Sequence, residues 1–407
     1  MYHYKIGIPI SEHDDFVKQN ALINILQTSA WQEVKSDWQH ERLGIYKEET
    51  LVAVASILIK SLPLGYKIFY ISRGPILDYK DTNLLEFVFQ SIKSYAHSKR
   101  AVFVMFDPSI CISQSLIGQE KIEYPENLAI IDSLKNLGVK WSGLTNDMGD
   151  TIQPRVQAKI YKDCFGEDAL SKSTKQAIRT ARNKGIEVQV GGLELLDSFS
   201  ALMKKTEQRK DIHLRNQDYY KKLLDSFKNH SYITLATLDL SKRSQELALQ
   251  LEKNKSKLER FTDSTKPSKV QEHLKEKERI EEELTFLQDY IDKGYTKAPL
   301  SATLVVEFGH SSVNLYAGMD DDFKRYNAPI LTWYETARYA FERGILWQNL
   351  GGIENNLDGG LYRFKANFNP TIEEYLGEFT LATHPLYPLL RFALNLRTKL
   401  RKRNHRK

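Results

Sequence analysis

Apolar positions along the chain keep two rhythms, and their alternation predicts the elements. Between His13 and Leu26 apolar residues recur at helical spacing, and Ser29–Trp38 reads as a short aromatic helix. Two apolar runs follow, Arg42–Tyr46 and Leu51–Lys60, separated by the turn Lys47-Glu48-Glu49-Thr50. A third strand, Lys67–Ser72, leads into Arg73-Gly74-Pro75. Helix Asn83–Ser98 and strand Ala101–Phe106 come next, the strand ending at Asp107-Pro108. The order is strand, strand, strand, helix, strand. It returns later as Tyr232–Leu238, Ser301–Glu307, Ser312–Ala317, Ala328–Arg343 and Trp347–Leu350. The repetition predicts an α/β (α+β) chain built from one duplicated unit, divided as residues 1–150 and 151–385.

The two copies differ at one turn. Where the first has Lys47–Thr50, the second has Ser241–Lys297, a charged stretch with a single proline, Pro267. Leu240, Leu247, Leu251, Leu258 and Phe261 keep a heptad-like rhythm before it. Ile280, Leu284, Leu287 and Ile291 step by four, three and four after it. Two helices broken at Thr265-Lys266-Pro267-Ser268 would fold back as an antiparallel coiled coil (residues 241–297). Arms of about 20 residues would project roughly 30 Å. A solvated spacer or a dimerisation arm fits the same pattern.

Composition narrows the class. Of 407 residues, 41% are hydrophobic and 11% aromatic, enough for packed cores. The longest apolar stretch, Leu51–Ile59, is under half a bilayer span, and no charged leader precedes an apolar segment. Only Cys111 and Cys164 occur, without CxxC spacing, which excludes a disulfide scaffold or zinc ribbon and fits a reducing cytoplasm. The net charge of +6 sits in the tail: Arg391–Lys407 holds eight Lys/Arg and no acid, leaving 50 basic against 52 acidic residues elsewhere. In residues 386–407, Leu386, Leu389, Ala393, Leu396 and Leu400 form an apolar stripe among Arg391, Arg397, Lys399, Arg401, Lys402 and Arg403. Such a helix suits an anionic membrane, RNA phosphates or simple terminal packing.

Neither QxxGxG, GxGxxG nor GxxxxGK[ST] is present, which weighs against nucleotide hydrolysis and coenzyme A. No metal spacing is found among the histidines, and Asp320-Asp321-Asp322 reads as an acidic turn. Neither metal nor cofactor is expected. Lys172, Lys175, Arg179 and Arg182 step by three and four and share one helix face, suited to phosphates or to solvent. Arg215 and Tyr219, four apart, could hold a diphosphate together or lie on the surface.

Five segments carry a family likeness: Ser29-Ala-Trp-Gln-Glu-Val-Lys35, Tyr70-Ile-Ser-Arg-Gly-Pro75, Phe199–Tyr219, Leu315-Tyr-Ala-Gly318 and Tyr362-Arg-Phe-Lys365. In order and spacing they resemble the Fem-type peptidoglycan aminoacyltransferases over essentially the whole chain. The arm and Ser171–Gly185 look nearest to the MurM-type, serine- or alanine-adding members. The resemblance implies two tandem N-acetyltransferase-like domains, the arm being inserted in the second. It implies transfer from seryl- or alanyl-tRNA to the lysine amine of the stem peptide of lipid II, at the inner face of the plasma membrane; the basic tail, from its own residues, would lie on that anionic surface or on RNA. It places Lys35, Arg215 and Tyr219 on the precursor's phosphates and sugar, with Trp31, Trp38, Tyr316 and Phe364 in the same substrate-binding set. Lys172, Lys175, Arg179 and Arg182 are assigned to tRNA, and Phe364-Lys365 lies at its acceptor end.

An aminoacyl ester is already activated, so no covalent relay is required. The acceptor lysine is the obstacle: with a pKa near 10.4, deprotonation at pH 7 costs about 4.6 kcal/mol. Asp107 is the first candidate to orient or accept from that amine and Glu307 the second, while Lys365 would stabilise the oxyanion or the leaving 3′-oxygen. The competing readings are a coenzyme-A-dependent N-acyltransferase and a non-catalytic RNA- or membrane-binding module.

Overall fold

The structure, a computed structural model, describes residues 1–392. The chain opens with β1 (Tyr2–Ile6), α1 (Ile10–Gln19) and α2 (Ser29–Val34). The helical spacing from His13 to Leu26 is broken by two asparagines. Asn20 accepts from Leu22 N at 2.9 Å and Asn24 from Leu26 N at 3.0 Å, and these side-chain turns replace the helix. Thr28 caps α2 by accepting from Trp31 N, and the helix ends before Trp38.

Next come β2 (Gln39–Lys47), β3 (Thr50–Ser61), β4 (Lys67–Ile71), α3 (Thr82–Ser98) and β5 (Ala101–Phe106). Asp81 caps α3 on Leu84 N at 2.9 Å. Leu84, Leu85, Val88, Phe89, Ile92, Tyr95 and Ala96 fall at helical spacing and are buried against the sheet. The first half continues with β6 (Cys111–Leu116), β7 (Ile122–Glu123), α4 (Pro125–Asn136) and β8 (Val139–Trp141).

The second half holds β9 (Val156–Tyr161), α5 (Lys172–Asn183), β10 (Ile186–Gly191), α6 (Leu196–Lys210), α7 (Gln217–Phe227) and β11 (Ser231–Asp239). Helices α8 (Leu240–Glu259) and α9 (Pro267–Asp292) follow, then β12 (Lys297–Phe308), β13 (Ser311–Met319) and α10 (Ala328–Glu342). Last come β14 (Trp347–Gly352), α11 (Gly360–Lys365), β15 (Thr371–Tyr375) and β16 (Phe379–Ala382).

The expected strand–strand–strand–helix–strand order appears twice, as β2 to β5 and β11 to β14. Two sheets result, ordered β1-β2-β3-β4-β5-β16-β8 and β10-β11-β12-β13-β14-β9-β15-β6-β7. They exchange strands: β6 and β7 complete the second sheet, and β16 inserts between β5 and β8 of the first. A cut at residue 150 therefore crosses both sheets. Helix α2 packs on α7, burying Trp31 and Val34 with Phe199, Tyr220 and Leu223, so one apolar cluster spans the two halves.

Helices α8 and α9 lie between β11 and β12, where Asp239 pairs with Lys297, so the hairpin leaves from adjacent strand ends. Leu240, Leu247, Ile280 and Leu287 are buried as their spacing predicts. The same seam also buries polar residues. Arg243 donates to Glu283 Oε1 at 2.9 Å, which also accepts from Tyr326 OH at 2.9 Å, and Asn254 contacts His273 farther out. The Asp320–Asp322 turn is a tether: Asp320 pairs with Lys205, Asp321 with Arg209, and Asp322 accepts from Tyr290 of the arm. No helix of the described residues is long and apolar enough to cross a membrane.

Candidate active site

In the first sheet β4 and β5 stay paired along their length, from Lys67 with Ala101 to Ile71 with Phe106. In the second the parallel pair β13–β14 holds only from Ser311–Val313 to Trp347–Asn349, then opens. Both lips of this wedge are bulged. Leu315 has no partner on β12, and Leu350 none on β9. A cavity of about 620 Å³ fills the opening, lined by Tyr316, Trp333, Gly351, Gly352, Phe364 and Lys365 among others.

Lys365 closes α11. Glu354 accepts from Leu361 N and Tyr362 N at 3.0 and 2.9 Å, anchoring the helix start. Phe364 packs edge-on against Trp333, with ring centres 5.2 Å apart. The Lys365 ammonium donates to Gly352 O at 2.7 Å. Gly351 has φ +87°, and a Cβ there would stand 3.4 Å from Lys365 Nζ, so glycine both permits the turn and leaves the ammonium room. Burial drives the Lys365 pKa down to about 7, with Glu354 opposing and Lys210 adding to the fall.

A second group lies where the two halves meet. Lys35 donates to Tyr219 OH at 3.2 Å and sits over the Trp31 and Tyr219 rings at 5.1 and 5.2 Å. Arg215 stacks on Tyr219 at 4.9 Å, and the Tyr316 ring stands edge-on to Tyr219 with ring centres 6.2 Å apart. Burial, then the Arg215 charge, lowers the Lys35 pKa, while Asp37 opposes. Two cations thus raise each other's cost, which a bound phosphate would relieve. Since Tyr316 also lines the wedge, the cluster sits at its mouth. Trp38 is not part of it; its ring faces Lys60 at 5.5 Å.

Asp107, at the end of β5, is 2% exposed. It accepts from Arg73 N at 2.7 Å and Tyr70 OH at 3.1 Å. Arg73 takes φ +54°, a left-handed conformation costly for a non-glycine residue, which aims its N–H at the carboxylate. Burial pushes the Asp107 pKa up to about 6 against these partners. Contacts connect it to the wedge. Arg73 donates to Pro154 O at 2.7 Å, Pro154 packs on Gly352, and Gly352 O receives Lys365.

Sequence reasoning missed Glu378. It is nearly buried, accepts from Ile152 N at 3.4 Å, and has its pKa raised to about 7 by burial and by Asp107. The signal was an acid alone in the apolar run Tyr375-Leu-Gly-Glu-Phe379. Glu307 corrects the other way. Its carboxylate is held by Arg343 at 3.1 Å, Arg343 also donates to Asn229 O, and Glu307 lines neither the wedge nor the Asp107 group. It is a structural ion pair.

On α5, Lys172 and Arg179 are exposed and Lys175 is half-buried. Thr174 on the same helix donates to Asn367 at 3.0 Å, so α5 begins beside the Lys365 segment. Arg182 is bound to Glu167 and Glu335 at 2.9 and 3.0 Å, which removes it from the free basic face. Tail positions from Ala393 onward lie outside the described residues.

Residues 8–394 match the family model described as FemAB family. The chain is 27% identical to a lipid II:glycine glycyltransferase of Staphylococcus haemolyticus (strain JCSC1435), over 95% of this chain and 94% of that protein. It is 26% identical to the enzyme of the same name from Staphylococcus aureus (strain MRSA252), with the same coverage. The crystal structure of FemX superposes with a TM-score of 0.73 at 24% identity, over 95% of this chain and 99% of that one.

Proposed function

The chain belongs to the FemAB family, and we propose that it transfers the aminoacyl group of a charged tRNA to the stem-peptide lysine amine of lipid II. Serine or alanine would be the first residue added. Glycine is the second reading, favoured by the names of the relatives. The observation that carries the proposal is the open β13–β14 wedge with Lys365 at its wall, a slot for an activated acyl donor beside a cationic cluster for a phosphate-bearing acceptor.

In this reading the acceptor pyrophosphate lies on Lys35 and Arg215, with Tyr219 and Tyr316 beside it. The acceptor amine meets Asp107, whose pKa of about 6 leaves it mostly ionised at pH 7 and able to take a proton. The nitrogen attacks the ester carbon, and the carbonyl oxygen gains charge facing Lys365. Collapse forms the amide, breaks the bond to the tRNA 3′-oxygen and returns a proton to that oxygen. Exposed Lys172 and Arg179 and half-buried Lys175 would take acceptor-stem phosphates.

Steady-state kinetics test the division of labour. Arg215→Ala should raise KM for the lipid-linked acceptor about tenfold or more and leave KM for charged tRNA unchanged. Equal effects on both substrates would contradict the assignment.

A further inference from the structure

Three large apolar residues stand in solvent on one side of the first sheet. Leu64, in the Pro63–Gly65 turn between β3 and β4, is 84% exposed and has φ +62°, a conformation that turns ordinarily give to glycine or asparagine. Leu389 and Phe392, on the helical residues 387–392, are 69% and 68% exposed. The two segments share one small core. Leu62 and Tyr66, flanking the turn, pack with Ile68, Val102, Phe103 and Tyr387, and Leu390 joins the same cluster.

Cations border this surface. Arg100 stacks on Tyr66 at 4.8 Å, close against Gly65, and Lys140 stacks on Tyr387 at 4.9 Å. A pocket of about 280 Å³ opens between Lys140, Trp141, Ser142, Thr380, Tyr387 and Arg391. It combines two cations, three hydroxyls and two aromatic rings, and the sequence after Phe392 contains seven Lys/Arg and no acid. Protruding leucine and phenylalanine, interfacial tryptophan and tyrosine, and a basic border are what an anionic bilayer surface accommodates.

We propose that the Pro63–Gly65 turn and the helix at 387–392 form one docking face for an anionic membrane. The Lys140–Arg391 pocket takes the phosphodiester headgroup of an anionic phospholipid, and Leu64, Leu389 and Phe392 enter the acyl boundary. The face extends the reading of a lipid-linked acceptor, on which its purpose rests, and vesicles without that acceptor test it separately.

The experiment is co-sedimentation of the full chain with vesicles of phosphatidylglycerol and phosphatidylcholine in equal parts, and with phosphatidylcholine alone, both free of lipid II. The wild type should bind the mixed vesicles, and Leu64→Glu and Phe392→Glu should each weaken binding about fivefold or more. Leu64→Ser, a milder change at an exposed tip, should weaken it in the same direction. Lys140→Glu should remove the preference for anionic vesicles. Millimolar inorganic phosphate should not displace the protein. Unchanged binding of both Leu64 variants would overturn the face, and displacement by inorganic phosphate would overturn the lipid headgroup as occupant. Leu64→Glu should still turn over a soluble acceptor. Vesicle binding by a chain that transfers no aminoacyl group would support the face while refuting the enzymatic reading.

Discussion

Lys365→Met is the substitution with the most specific expected signature. The methionine keeps the stem volume against Trp333 and removes the ammonium that Gly352 O now holds. Loss of one charged donor at a developing oxyanion costs about 10²–10³ in rate. The pKa of about 7 adds a pH dependence. Below it the wild type carries the charge and above it the charge is lost, so the cationic fraction falls from about 0.9 at pH 6 to about 0.1 at pH 8. The acceptor amine also titrates, but equally for both enzymes, so it cancels in the ratio of wild-type to variant rates. That ratio, from single-turnover transfer with both substrates saturating, should therefore fall about tenfold from pH 6 to pH 8. A flat ratio would mean that the Lys365 charge plays no part in the chemistry. A ratio rising with pH would make the neutral amine a base and refute the oxyanion role.

Other substitutions separate chemistry from architecture. Asp107 has its folded pKa raised from 3.8 to about 6, so its contribution to stability is fully present below the unfolded value and is lost as pH rises through 6. Asp107→Asn should therefore stabilise the protein at pH 7 by up to about 3 kcal/mol, with the gain vanishing near pH 4 in thermal melts. It should also lower transfer more than about tenfold; a smaller loss would refute the base role. At the arm, burial alone would raise the Glu283 pKa, but Arg243 and Tyr326 bring it below the usual carboxylate range. Glu283→Ala would leave the buried Arg243 with only the more exposed Glu246 at 3.6 Å as counter-charge and should cost about 3 kcal/mol in chemical denaturation, whereas Arg243→Met with Glu283→Met should cost much less. Lys172→Glu and Arg179→Glu should weaken tRNA binding and lower its salt dependence by about one unit per lost phosphate contact; Arg182→Ala, already ion-paired, should leave tRNA affinity unchanged.

The duplicated unit and the inserted hairpin were legible because strands and helices carry their period in the sequence, and strand ends that stay adjacent force a hairpin outward. The exchange of β6, β7 and β16 between sheets was not, since pairing partners leave no local trace in such short strands. Helix endings were lost where Asn20 and Asn24 take over backbone partners within an apolar rhythm. Trp31, Lys35, Arg215, Tyr219 and Tyr316 come together although 285 positions separate the first from the last (316 − 31). Spacing alone supplied only the Arg215–Tyr219 pair; the rest came through resemblance. Glu307 and Glu378 show the limit of reading acids singly. Both are buried, but Glu307 has Arg343 as a counter-charge while Glu378 lies near another acid, and only the folded chain distinguishes them.

The most direct test of the account is transfer of a labelled aminoacyl group from charged tRNA onto lipid II, with uncharged tRNA and acetyl-coenzyme A as controls and seryl-, alanyl- and glycyl-tRNA compared. Label is expected on the stem-peptide lysine amine from charged tRNA alone, with seryl or alanyl donors preferred. Label from acetyl-coenzyme A only, or tight tRNA binding with no transfer from any of the three donors, would contradict it.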